Sequence, residues 1–284
     1  MVPHHSQPSL LQPTLPTLVA LLAAASSLPP RPVVIFDRHI EKNGGLSMSR
    51  SFEVSNCTYF GYRFGDAELR QIRDLLQNET AVDAEQMHIC VNAHSPVAED
   101  WLEQAHGLRD TAARPRVITT LRIRSPPDYY VSFFNWDQVP RQDAGYGEKL
   151  TVVEWMPGDL QSRILLDWEN AIHGQHRELP QEPLNTSMCA AALRIAGDVD
   201  LLTTTEQEDQ MWPVLRKLSG LTLPTNHFSE PPKFFTPPSL LLADETVARA
   251  TEQFAPCDWH LHRLAEVRTN SMLSEWAAFR EQSD

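Results

Sequence analysis

The chain has 284 residues, 42% of them hydrophobic, which is enough apolar material for one large domain. Its formal net charge is -13 and no block of Lys and Arg stands out, so nucleic acid is not expected as a partner. Charges of both signs are interspersed, which argues against wholesale disorder. The 22 prolines gather at the N-terminus and after position 220, and mark extended or irregular stretches there.

Residues 1–31 read as a leader. The run Leu18-Val19-Ala20-Leu21-Leu22-Ala23-Ala24-Ala25 ends in small residues, as the apolar core of a signal peptide or short membrane anchor does. It is shorter than the roughly 20 apolar residues of a membrane-spanning helix, and no positive segment precedes it, so a disordered leader is the other reading. The folded part is expected over 32–270, with 271–284 as a C-terminal tail.

Val33-Val34-Ile35-Phe36 has the continuous apolar character of a strand buried on both faces. The Gly44-Gly45 pair follows, then a helix from Leu46 to about Val54. Asp66 starts a second helix, striped by Leu69, Ile72, Leu75 and Leu76. His88–Val91 is a second strand, Trp101 and Leu102 sit on a short helix, and Arg116–Leu121 is a third strand rich in β-branched residues. Pro126 and Pro127 open a helix carrying Tyr129, Tyr130, Phe133 and Phe134, and a polar loop is expected over Asp137–Lys149. Helices at about 157–173 and 186–196, a strand at Val199–Thr203 and a helix ending near Leu218 come next. An extended arm over 221–238 leads to helices after Asp244 and after Pro256. Strands alternating with helices predict a single α/β domain, a P-loop-like parallel sheet flanked by helices. Ligands of such sheets bind beyond the carboxyl ends of the strands.

Cys57, Cys90, Cys189 and Cys257 form no CxxC pair, so a zinc knuckle is not expected. Their even number permits disulfides in three connectivities, and buried free thiols are equally compatible. Sequons at Asn56, Asn78 and Asn185 lean toward glycosylation and the secretory pathway.

Two motifs carry chemistry. In His39-Ile40-Glu41-Lys42-Asn43-Gly44-Gly45-Leu46-Ser47 a strand, a glycine turn and a helix N-terminus make an anion site, to which Lys42 adds a mobile charge. Lys42 precedes the glycines, whereas a nucleotide triphosphatase loop ends in its lysine. In Leu121-Arg122-Ile123-Arg124-Ser125-Pro126, Arg124 ends a strand, and Ser132 lies on the next helix. Guanidinium and hydroxyl together can grip one phosphate.

In order and spacing these motifs resemble those of the carbohydrate sulfotransferases that use 3′-phosphoadenosine 5′-phosphosulfate (PAPS). Lys42, Gly44, Gly45 and Ser47 match a pattern like H-I-P-K-T-G-G-T-S, and Arg124, Pro126 and Ser132 match L-R-D-P-V-x-R-x-x-S. Val199–Glu206 is similar to the family's strand-then-T-E segment and Cys257–Leu261 to its final D-x-x-L helix, so the resemblance spans about Val33 to Arg268. It implies an enzyme of the Golgi lumen or membrane acting on a glycan or glycoprotein hydroxyl. The donor would be held by Lys42, Asn43, Gly44, Gly45, Leu46 and Ser47 at its 5′-phosphosulfate, and by Arg124 and Ser132 at its 3′-phosphate. Lys42 would stabilise the leaving oxygen and His94 would act as base, its imidazole being suited to proton transfer near neutrality. No metal is required by this chemistry. Glu41, Asn43, Leu46 and Ser125 depart from the family pattern, and Ala93 stands where the family has glycine before the histidine. A weak or inactive relative that binds glycan or nucleotide is therefore the alternative. Trp136, Tyr146 and Trp155 are candidates for stacking on sugar rings.

Overall fold

Val33–Arg38 is buried along its whole length and forms β1, the central strand, in the computed structural model. The structure describes residues 31–40, 42–43, 45–61, 65–78, 87–93, 101–145, 149–166, 180–224 and 244–283. Glu41, Gly44, His94, Tyr146 and the leader before residue 31 lie outside them, as do 167–173 of the expected 157–173 helix and most of the 221–238 arm.

On one side of β1 lies β3 (His88–Ala93), on the other β4 (Arg116–Ile123), both parallel to it, with Val33 opposite His88 and Arg116. β2 (Thr58–Gly61) pairs outside β3, and β5 (Leu201–Thr204) outside β4. The result is an all-parallel five-stranded sheet of order β2-β3-β1-β4-β5, the α/β architecture that the alternation of elements predicts. β2 is a strand the sequence reading does not include.

Side chains alternate across the pleat and build two cores. Val34 and Phe36 face one, with Ile89, Val91, Leu121 and Leu202; Val33 and Ile35 face the other, with Cys90 and Ile118. The first core is covered by α2 (Asp66–Asn78), α3 (Trp101–Gly107), α4 (Pro126–Asp143), α5 (Val152–Trp155), α6 (Leu160–Leu166) and α7 (Thr186–Asp198). The second is covered by α1 (Gly45–Glu53) and α8 (Glu208–Ser219). After α9 (Asp244–Phe254), the last helix, α10 (Pro256–Ser283), reaches both cores: Leu261 and Ala265 join the first, Met272 the second. The 271–284 stretch expected as a tail thus continues α10 to Ser283, with Trp276 and Phe279 packed against the second core. Among the described residues no helix is long and apolar enough to cross a membrane.

α4 also runs further than expected, through Asp137 to Asp143. Gln138, Val139 and Gln142 are buried there, and Arg141 bonds to Asp137 one turn earlier, so polar composition does not end the helix. Two disulfides close the chain on itself, Cys57–Cys90 between the approach to β2 and β3, and Cys189–Cys257 between α7 and α10. Of the sequon asparagines, Asn56 and Asn185 are exposed.

The chain leaves β1 toward the β2 edge and leaves β4 toward the β5 edge, although β1 and β4 are neighbours. Their carboxyl ends therefore flank the topological switch point, where parallel sheets take ligands.

Candidate functional site

The floor of the switch point is a buried polar layer. The Asp37 carboxylate accepts bonds from Thr120 Oγ1 at 2.6 Å, Asn92 Nδ2 at 3.2 Å and Arg122 Nη2 at 2.8 Å. Arg122 and Asp37 are each almost wholly buried, and Glu208 lies 3.6 Å from the other guanidinium nitrogen. Breaking such a pair by removing one partner costs about 3–5 kcal/mol, because a bare charge stays behind. Arg122 Nε also donates to the Asn43 carbonyl at 3.1 Å, so this layer fixes the turn after β1 as well as the β1–β4 pairing.

On that floor sit the residues the sequence singles out. Lys42 has φ 67, a left-handed conformation disfavoured by about 1–2 kcal/mol for a side-chain-bearing residue. Its carbonyl accepts from Arg124 Nη1 at 3.2 Å, so the lysine turn and the end of β4 hold each other. Among the described residues this is the only bond the Arg124 guanidinium makes. The Lys42 ammonium lies 5.9 Å from the centroid of the Trp136 ring, at cation–π distance. Ser132, half-buried, precedes Trp136 by one turn of α4 and shares its face. Lys42, Arg124 and Trp136 thus come to one place, with Ser132 one helical turn from Trp136.

Asn43 faces inward. Its N–H donates to Ile40 O at 3.2 Å, and Nδ2 donates to Arg122 O and to Gln161 Oε1, both at 2.9 Å. Its donors are thereby spent inside the protein, and its buried Oδ1 has no hydrogen-bond partner among the described residues. Gly45 and Leu46 open α1, whose first turn contains no acidic residue, and Ser47 follows, nearly buried. An N-terminus of this kind attracts anions through its N–H groups and dipole. Gly44 and His94 fall outside the described residues; β3 ends at Ala93, whose carbonyl takes bonds from His39 N and Arg38 Nη1.

Of the three aromatics, Trp136 is 45% exposed, whereas Trp155 is buried and stacked on Phe133 at 6.0 Å. Trp155 is a core residue, and Trp136 faces solvent at the site; Tyr146 lies outside the described residues.

Asp37, Arg122, Gln161 and Glu206 are not among the site residues assigned from the sequence, although Arg122 and Glu206 lie in its motif segments. A charged residue in each of two apolar strands was the available signal for Asp37 and Arg122, since buried charges pair. Glu206 accepts the Ser125 amide at 3.0 Å and has His262 3.6 Å away. Burial alone would raise its carboxyl; the nearby His262 ring and the bond from the Ser125 amide outweigh that and hold it below the usual range.

Behind the site, two aspartates exchange helix caps. Asp258, in the first turn of α10, accepts from Gln161 N at 3.1 Å and Ser162 N at 2.8 Å, the N-terminal amides of α6. Asp159, just before α6, accepts from Cys257 N at 2.7 Å and Asp258 N at 3.1 Å at the start of α10. Tyr130 OH donates to Asp258 at 3.2 Å and accepts from Leu160 N at 2.8 Å. Burial, then the neighbouring Asp159 carboxylate, pushes the Asp258 carboxyl up to about 7, and burial raises Asp159 as well.

Fold and site together define an all-parallel α/β protein with a lysine turn and an arginine braced against each other at its switch point. Against protein-family models, curated proteins and solved structures the chain finds no match.

Proposed function

We propose that the protein is a PAPS-dependent sulfotransferase that moves a sulfuryl group to a hydroxyl of a glycan acceptor in the Golgi lumen. The observation that carries this reading is the bond from Arg124 to the Lys42 carbonyl, which unites two cationic segments 82 residues apart at the crevice between β1 and β4. A nucleotide with a 5′-phosphosulfate and a 3′-phosphate has one anionic group for each segment. The Lys42 turn and the start of α1 take the 5′-phosphosulfate; Arg124, with its remaining guanidinium donors, and Ser132 take the 3′-phosphate.

In the transfer the acceptor oxygen attacks sulfur in line as the bond from sulfur to the bridging oxygen breaks. 3′-Phosphoadenosine 5′-phosphate (PAP) leaves, and the hydroxyl proton passes to a base, for which His94 is the candidate. Lys42 neutralises the charge that grows on the bridging oxygen. The two disulfides support an oxidising compartment and hence the secretory pathway, without distinguishing the Golgi within it. Lys42→Ala and Arg124→Ala are each expected to lower transfer of labelled sulfate from PAPS by about 100-fold or more. Undiminished transfer by both would contradict the reading.

One observation favours the alternative, a non-catalytic relative that binds nucleotide or glycan. The donors of Asn43 are spent on Ile40, Arg122 and Gln161, so this position gives the ligand no hydrogen bond. Calorimetric PAP binding without turnover on a broad panel of glycan acceptors would select it.

A further inference from the structure

Gln161 is fully buried at the start of α6, and its side chain touches both halves of the site. Oε1 accepts from Asn43 Nδ2 at 2.9 Å and from the Arg124 amide at 3.1 Å, while Nε2 donates to the Arg124 carbonyl at 3.0 Å. One amide therefore brackets Arg124 through both of its backbone groups and ties it to the residue beside Lys42. Its own backbone is held in turn, because Gln161 N donates to the buried Asp258 carboxylate. Only a side chain with a donor and an acceptor on one rigid plane makes all three bonds at once.

We propose that Gln161 is a positioning residue that fixes the distance between the Lys42 turn and Arg124, and so sets the preference for a nucleotide bearing a 3′-phosphate. This inference rests on the donor reading above. The 5′ group needs the Lys42 turn alone; simultaneous capture of the 3′-phosphate needs Arg124 at a fixed offset from it. Loosening Gln161 therefore weakens binding of the two-ended ligand and spares the one-ended one.

The test titrates the full chain, as Gln161→Leu, Gln161→Glu and the unaltered protein, with PAP and with adenosine 5′-monophosphate, which lacks the 3′ group. Gln161→Leu is expected to weaken PAP by roughly 10- to 30-fold and the monophosphate by less than about 3-fold. Gln161→Glu keeps the acceptor toward Asn43 and the Arg124 amide but loses the donor to the Arg124 carbonyl, and should fall between. Equal losses for both nucleotides, or none for PAP, would overturn the inference. Hydrogen exchange without nucleotide reads the same role separately. Faster exchange at the Arg124 amide in Gln161→Leu, with the sheet still protected, supports it; an unchanged rate at that amide overturns it. Should Gln161→Leu lose protection throughout, the same two readings are taken from Gln161→Glu. If the unaltered protein binds PAP no more tightly than the monophosphate, the donor reading fails, and exchange at Arg124 still decides whether Gln161 positions the segment.

Discussion

Two helix N-termini lie close together in this molecule and are treated in opposite ways. α6 begins against a carboxylate of the protein itself: Asp258 takes the amides of Gln161 and Ser162, and the Tyr130 hydroxyl takes that of Leu160. α1 begins with glycine, has no acid in its first turn, and follows a lysine. The same backbone electrostatics meet a carboxylate of the protein in one case and no acid of the helix's own first turn in the other. The closed terminus supports the open one, because α6 delivers Gln161 to Asn43 and Arg124.

The closed end can be broken most severely by opening the Cys189–Cys257 bridge, which ties α7 to the start of α10 beside Asp258. With the cysteines 68 positions apart, a Cys189→Ser, Cys257→Ser double variant should lose about 4 kcal/mol in denaturant unfolding. A loss below about 1 kcal/mol would show that this corner is held without the bridge.

Asp258 gives the next effect. Its carboxyl stands near 7 in the folded protein against 3.8 as the unperturbed value, so between those limits the folded state binds the extra proton. The stabilisation from this group is complete below about pH 4 and is lost as pH rises toward 7, on the order of a few kcal/mol. Asp258→Asn should flatten that part of the stability–pH curve, measured by urea unfolding across the range. An unchanged slope would mean that the proton is taken up elsewhere.

The open end is sharpened by closing it. Leu46→Asp places a carboxylate in the first turn of α1, where it is expected to weaken PAP binding by about 10-fold while leaving the melting temperature unchanged or slightly raised. Unaltered affinity would separate the ligand from this terminus.

The contrast also marks what the chain reveals by itself. β1, β3 and β4 announce themselves as apolar runs because both faces of a parallel sheet are covered, and the glycine turn and Arg124 follow from their places after β1 and β4. β2 does not, since Thr58-Tyr59-Phe60-Gly61 is a short edge strand in which Phe60 alone is buried. β5 begins at Leu201 rather than at Val199, because the Asp200 carboxylate accepts the Thr119 amide and hydroxyl ahead of the strand. The cysteine pairing stayed open among three connectivities because nothing local selects a partner 33 or 68 residues away. Gln161 was illegible for the same reason: its partners Asn43 and Arg124 lie 118 and 37 residues away, and a glutamine after Leu160 carries no mark of them. Asn43 read as a donor ligand from its place in the turn, and only its bonds to Arg122 and Gln161 turn it inward.

On the proposed function, the Lys42 turn and Arg124 together hold one nucleotide by two anionic groups. Calorimetric titration with PAP tests it most directly. Saturable one-to-one binding is expected, at least about 10-fold weaker in Arg124→Ala and at least about 10-fold weaker for adenosine 5′-monophosphate. Binding of both nucleotides with equal affinity, indifferent to Arg124, would contradict it.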